Sequence, residues 1–226
     1  MLRNILFILL FLLVYGAIFL IGSYRPNEAL TDRAENGTFS TETDGGIRYV
    51  SDRYGLTFDY EPDWIIFDGV QLEKQIRDLG YTDEEIEDAY DCELGNLVFL
   101  GGFLSPGATL RITVEKDNAI PPDSFSSSDL QKLIDYQREM TLYAGGVWGS
   151  GNGFVLPAQG NAARVLLYYY DYEYLGEYDA TFCAMLNVNG NIVMLDGYYN
   201  DVDGLTTLTE FVKKGMTVTS SGDSAI

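Results

Sequence analysis

Residues Ile5–Gly22 read ILFILLFLLVYGAIFLIG, eighteen apolar or small residues without a charge among them. As a helix the run rises roughly 27 Å, against a hydrocarbon core of about 30 Å. It is apolar on every face, where a helix inside a globular domain keeps a polar stripe. It is also longer than the about 7–15 apolar residues of a cleaved signal peptide, and its exit, Leu20-Ile21-Gly22-Ser23-Tyr24, makes a poor cleavage site. The expectation is an uncleaved signal anchor over residues 1–24, a single transmembrane helix. The alternative is a secreted chain cut near residue 23. No Cys follows the run, so a lipoprotein anchor is excluded.

Positive charge is near balance across the run, with Arg3 before it and Arg25 and Arg33 after it, so the positive-inside rule barely decides the orientation. A short tail ahead of a first apolar run stays cytoplasmic as a rule, which gives N-in with the long polar part extracytoplasmic. All 34 Asp and Glu lie beyond the run, against 13 of the 14 Lys and Arg, and the net charge is −20. Such a surface repels nucleic acid and anionic headgroups. There is no His, which removes the commonest general base and the commonest transition-metal ligand. Cys92 and Cys183 could form a disulfide in an oxidising compartment, but two Cys without His or a C-x-x-C pair make a poor zinc site.

Residues 25–44 are nearly devoid of apolar side chains and read as a flexible tether. The domain then spans 45–218, and 219–226 form a disordered tail. Around Ser51-Asp52 lie two short strands, the second with Leu56, Phe58 and Tyr60 in alternation. Pro62 ends it, and Trp64 follows as a large anchor. Helical spacing takes over in two pieces, the first ending at Gly80, the second opened by a capping box at Thr82-Asp83-Glu84-Glu85 and running to Tyr90. Leu97–Leu104 and Thr109–Glu115 read as strands joined by a Pro-Gly turn. Pro121-Pro122 forces a loop, and a helix capped by Ser128 or Asp129 runs over Leu130–Tyr143 with Leu130, Leu133, Ile134, Gln137 and Met140-Thr141 inward. Phe154–Pro157, Ala162–Glu173, Tyr178–Val188 and Ile192–Tyr199 follow as strands, the last two joined by Asn189-Gly190, a type I′ hairpin signal. A final helix covers Leu205–Met216. Strands in series without βαβ alternation predict an α+β fold, an antiparallel sheet flanked by helices.

The stretch Ser51-x-x-Tyr54-Gly55-Leu56-Thr57-Phe58-x-Tyr60-x-Pro62-x-Trp64 resembles the opening of PsbP-like domains, as do Leu156-Pro157-Ala158, Asn189-Gly190 and the closing Phe211-Val212-x-x-Gly215-Met216. The resemblance covers most of 46–218. Two departures are Glu61 standing between Tyr60 and Pro62, and a helical insertion over 71–90 larger than the family pattern. What the resemblance implies is a compact α/β/α sandwich used for binding or assembly, with no shared catalytic centre.

Tyr168, Tyr170, Tyr172 and Tyr174 share one strand face with Leu166. That face either packs under a helix or offers a binding stripe; with Trp148, the residues Tyr170, Tyr172 and Tyr174 are the candidate partner-binding set. Asp201, Asp203 and Glu210 match positions three, five and twelve of a calcium loop, but Tyr199 stands at position one and no helix precedes it. The plainer reading has Asp203 capping the last helix. Asp83, Glu84, Glu85, Glu87, Asp88 and Asp91 form a carboxylate cluster, read as a solvated helix face. Ser150 lacks the glycines of a nucleophile elbow, Trp148 and Asn152 standing in their places, so Trp148–Gly153 reads as a flexible loop. Asn36-Gly37-Thr38 is a formal glycosylation acceptor. The expectation is a membrane-anchored extracytoplasmic binding module without a cofactor, engaging an unknown protein or envelope ligand. Its alternatives are an envelope hydrolase working through paired carboxylates and a calcium-dependent structural module.

Overall fold

The computed structural model describes residue 34 and residues 37–116, 124–156 and 164–218. The expected anchor over 1–24, most of the tether, Asn36, Pro121-Pro122, Pro157-Ala158 and the tail 219–226 lie outside the described residues. Among the described residues no helix is long and apolar enough to cross a membrane.

Two antiparallel sheets carry the fold. The larger holds seven strands in the order β4-β5-β6-β10-β9-β8-β7: β4 (Ile65–Asp68), β5 (Leu97–Ser105), β6 (Ala108–Glu115), β7 (Val147–Leu156), β8 (Val165–Tyr174), β9 (Glu177–Val188) and β10 (Asn191–Tyr199). The smaller holds β1 (Thr38–Thr41), β2 (Ile47–Ser51), β3 (Leu56–Tyr60) and β11 (Met216–Val218) in the order β1-β2-β3-β11. Two hairpins of the large sheet turn on pairs with positive φ, Asn189 and Gly190 at 52° and 85°, and Leu175 and Gly176 at 54° and 82°. These are the primed turns whose twist matches the strands they join.

The main core lies between the sheets. In β9 the burial alternates strictly, with Ala180, Phe182, Ala184, Leu186 and Val188 buried and the residues between them half-buried or exposed. The buried set meets Leu56, Phe58 and Tyr60 of β3 together with Leu208 and Phe211. Phe211 lies against four rings, with centroids 5.6 Å from Tyr60, 5.0 Å from Phe103 and 6.0 Å from both Phe58 and Trp64. Each such side chain taken out of water contributes about 1.5–3 kcal/mol. Trp64 is the anchor its position implied, stacked on Phe103 at 4.1 Å.

Helices cover the opposite face of the large sheet. α1 (Gly69–Asp78) and α2 (Asp83–Tyr90) bury Leu72 and Ile86 against Leu97 and Phe99 of β5. Both open with full capping boxes, Asp68 with Gln71 and Thr82 with Glu85. α3 (Ser127–Tyr143) buries Leu130 and Ile134 against Tyr168 of β8. α4 (Val202–Glu210) packs on the core side, beside the small sheet. Among the described residues the two outer layers therefore differ: α1, α2 and α3 cover one face of the large sheet, and the four-stranded sheet together with α4 covers the other.

Several elements differ from expectation. Thr38–Thr41, inside the expected tether, pair with Val50–Ile47 as β1. The four-residue strand β4 was not foreseen. α3 is capped by Ser126, whose hydroxyl accepts the Asp129 N–H at 3.3 Å, rather than by Ser128 or Asp129. Trp148–Gly153 is strand rather than loop, because β8 supplies a partner along its length with one bulge between Trp148 and Ser150. The last helix does not run to Met216: α4 ends at Glu210, a π-type turn takes Phe211–Gly215, and Met216 opens β11.

Candidate functional site

On the helix side of the large sheet, α1 and α2 sit over β4 and β5, and α3 sits over β7 and β8. Between them β6, β10 and β9 present half-buried side chains to a trough. One row crosses four strands in register: Arg111 opposite Asp196, Asp196 opposite Cys183, and Cys183 opposite Tyr168. Two residues along, Thr109, Tyr198, Thr181 and Tyr170 form the next row. From β6 to β8 is three strand spacings, about 14 Å.

The predicted aromatic residues stand at one wall of this trough. Trp148 stacks on Tyr170 at 5.3 Å and 12°, and Tyr170 stacks on Tyr168 at 6.4 Å and on Tyr172 at 5.9 Å. The Tyr170 hydroxyl donates to Gln137 Oε1 on α3 at 3.4 Å. A Cβ at Gly151 would lie 2.5 Å from the Trp148 ring and 3.0 Å from Ile134, so the bare glycine is what lets the indole lie flat in this place. Tyr168 is buried under α3, whereas Trp148, Tyr170 and Tyr172 remain half-buried. Tyr174 closes β8 at the hairpin turn, outside the stack.

Sequence reasoning missed the polar half of the trough. The Arg111 guanidinium lies 4.9 Å over the Tyr90 ring and 3.7 Å from the Asp196 carboxylate, with side chains 38% and 29% exposed. Arg111 Nε, Tyr90 Oη and Thr113 Oγ1 are buried without a hydrogen-bond partner, which marks the place as incompletely satisfied. Burial pushes the Asp196 carboxyl up, against the pull of Arg111 and Cys183. Burial also opposes the charge of Arg111, but Tyr90, Asp196 and Tyr198 outweigh it and its pKa rises. The Cys183 thiol is pushed up by burial, then by Asp196, and the Tyr168 and Tyr170 phenols rise mainly through burial. A thiol moved that way is a poor nucleophile near neutral pH. The chemistry assembled here suits contact more than proton or acyl transfer. One signal was in the sequence: Thr181-x-Cys183 and Asp196-x-Tyr198 are polar on the strand face where a covering helix would require apolar residues.

Both cysteines are free. Burial, then the charges of Glu115, Glu87 and Asp91, push the Cys92 thiol up to about 11. The calcium candidates do not converge. Asp201, not Asp203, caps α4, its carboxylate accepting the Gly204 N–H at 2.9 Å. Glu210 pairs with Lys214 and, at 3.9 Å, with Lys213, which hold its carboxyl below the usual range. With α4 between them, Asp201 and Glu210 stand about 13 Å apart, too far to share one ion. Among the described residues no group of three or more Cys, Asp or Glu is placed to hold a metal. A second concavity, about 680 Å³ beside the small sheet, is lined by Arg48, Asp59, Tyr60, Trp64, Glu210 and Lys214 among others. Its cations are taken up by its own acids, Arg48 bonding Asp59 at 2.7 and 3.2 Å and Lys214 pairing with Glu210.

No family model and no curated protein matches the chain. Among solved structures it is similar to the solution structure of cyanobacterial PsbP (CyanoP) from Synechocystis sp. PCC 6803, at 11% identity and a TM-score of 0.47, over 81% of this chain and 98% of that one.

Proposed function

We propose that the chain is a non-catalytic binding module, anchored by residues 5–22 with its domain on the extracytoplasmic side, and that it grips its partner in the helix-side trough. One observation carries this reading: the middle strands of the large sheet keep a half-buried aromatic and polar floor between two helical covers, in a chain without His. Groups of that kind, Tyr, Trp and Arg around a concave surface, contribute most in binding sites. A photo-crosslinking phenylalanine analogue at Tyr143, on the α3 wall, tests it in the full chain in cells, with Thr38 on β1 as the remote position. The expected result is one defined adduct from position 143, lost when Trp148→Ala is added and absent from position 38. Adducts alike from both positions, or none from 143, would overturn the assignment. Protease shaving of intact cells tests the orientation, since a chain with its domain outside loses that domain to the enzyme.

A further inference from the structure

α3 carries an apolar stripe that the described residues leave uncovered. Leu133, Tyr136, Met140 and Tyr143 follow one another at i, i+3, i+7 and i+10, the spacing of a helix–helix seam. Leu133 packs on the Leu130–Ile134–Tyr168 cluster. Gln137, beside it on the same flank, reaches Tyr170 on β8. That flank therefore leans over the trough and away from the β7 edge. Beyond Leu133 the stripe is open, with Tyr136 55%, Met140 46% and Tyr143 89% exposed.

The opposite wall differs in character. α2 ends on Tyr90 beside Arg111 and carries six acids in nine residues from Asp83 to Asp91. Arg77 takes Asp83, and Glu85 serves the capping box. Glu84, Glu87, Asp88 and Asp91 stay exposed without an ion-pair partner among the described residues. One wall is thus apolar at helical spacing and the other is acidic. The floor of three strands, β6, β10 and β9, is about 14 Å wide, against a helix diameter of about 10–12 Å and packing distances of about 8–10 Å. A single helix fits it.

We infer that the trough seats one amphipathic α-helix of a partner, its apolar face on Tyr136, Met140 and the Trp148–Tyr170 stack, its Lys/Arg flank along α2. This rests on the trough being the binding site and adds the class of partner. Charge complementarity selects the basic flank: the chain carries −20 and the α2 wall is uniformly acidic.

The probe is a fluorescent two-heptad Leu/Lys peptide, titrated by anisotropy against the full chain in phosphatidylcholine nanodiscs, with empty nanodiscs subtracted. Two further peptides accompany it, one of the same composition broken by a central Pro and one with Glu for Lys. Saturable binding of the unbroken Lys peptide is expected. Met140→Ser and Tyr136→Ser, both at exposed positions, should each weaken it about tenfold. Glu84→Gln with Glu87→Gln and Asp88→Gln should weaken it and flatten its salt dependence. The Pro-broken and Glu peptides should not bind. Absence of binding, equal binding of the Pro-broken peptide, or unchanged affinity in Met140→Ser and Tyr136→Ser overturns the inference. A defined adduct from position 143 together with any of these results leaves the binding module standing and removes the helix.

Discussion

Two glycines of the large sheet make opposite predictions when each gains a methyl group. At Gly102 an added Cβ would lie 2.1 Å from the Leu110 carbonyl oxygen, 3.1 Å from its carbon and 3.2 Å from Arg111 Cα. All three are backbone atoms of the neighbouring strand, next to the irregular register between Phe99 and Gly101. Relief requires opening the β5–β6 ladder by more than about 1 Å, which places Gly102→Ala at the upper end of overpacking costs, about 3 kcal/mol. At Gly151 the Cβ meets Trp148 Cζ2 at 2.5 Å and Ile134 Cγ2 at 3.0 Å, both side-chain atoms that can move. The indole swings off Tyr170, losing a stack worth about 0.5–1.5 kcal/mol. The alanine recovers about 0.4–1 kcal/mol by restricting the unfolded chain. The net change for Gly151→Ala is therefore within about 1 kcal/mol of zero. Urea unfolding followed by far-ultraviolet circular dichroism separates the two: with a slope of about 2 kcal/mol per molar, Gly102→Ala lowers the midpoint by about 1.5 M and Gly151→Ala by less than about 0.5 M. Gly151→Ala should nevertheless change the near-ultraviolet spectrum and abolish the cross-link from position 143. Equal midpoint losses, or an unchanged near-ultraviolet signal in Gly151→Ala, would refute both the geometry of β7 and the role given to the Trp148–Tyr170 stack.

Phe211→Ala should cost about 3–5 kcal/mol, because its ring is shared by Tyr60, Phe103 and Phe58. A melting temperature lowered by about 10 °C is expected, and a fall under about 2 °C would deny that this ring knot holds the C-terminal turn. Asp196 has a carboxyl raised by burial, so its contribution to stability is fully present below the unfolded carboxyl value and is lost as pH rises through the raised folded value. Asp196→Asn should accordingly gain on the parent chain as pH rises above the unfolded carboxyl value in chemical denaturation, and parallel pH profiles would contradict the raised folded carboxyl. Because β1 is part of the small sheet, limited proteolysis should leave a stable fragment that retains Thr38; a fragment beginning at Gly45 would restore the longer tether.

What could be read beforehand followed from patterns that are local. The β9–β10 hairpin announced itself because apolar alternation on both strands flanks Asn-Gly, and α2 because Thr82 and Glu85 satisfy each other's backbone N–H groups. Only the end of β7 from Phe154 could be read, since Gly149, Gly151 and Gly153 speak for a loop until β8 is present to pair with them and α3 presses on the bare backbone. β11 hid inside a helical periodicity that Phe211 and Val212 continue correctly, and only the π-type turn ends it. The tyrosine face of β8 was legible as a period of two. Whether it was core or surface was not, because that depends on how far α3 reaches across the sheet. It covers Tyr168 and stops near Tyr170, so one strand face is core at one end and half-buried surface at the other.

The uncovered middle of the large sheet follows from its connections. A covering helix must come from a chain segment long enough to leave the sheet, and among the described residues only the β4–β5 and β6–β7 links supply one on this face. β4 and β5 are neighbours, so α1 and α2 lie over that edge. The link from β6 leads to β7 at the far edge, and α3 lands there. β8, β9 and β10 are joined by the tight turns at Leu175-Gly176 and Asn189-Gly190, which leave no residues for a helix. The segment after β10 forms α4, which serves the opposite face. A helical layer with one place missing is thus built into the order of the strands. The residues facing that place agree with it: Thr181, Cys183, Asp196 and Tyr198 are of a polarity that no permanent helix of this domain would cover without desolvating them. The proposed partner helix would meet this need by bringing polar groups to Arg111 and Asp196 and leaving them to water on dissociation.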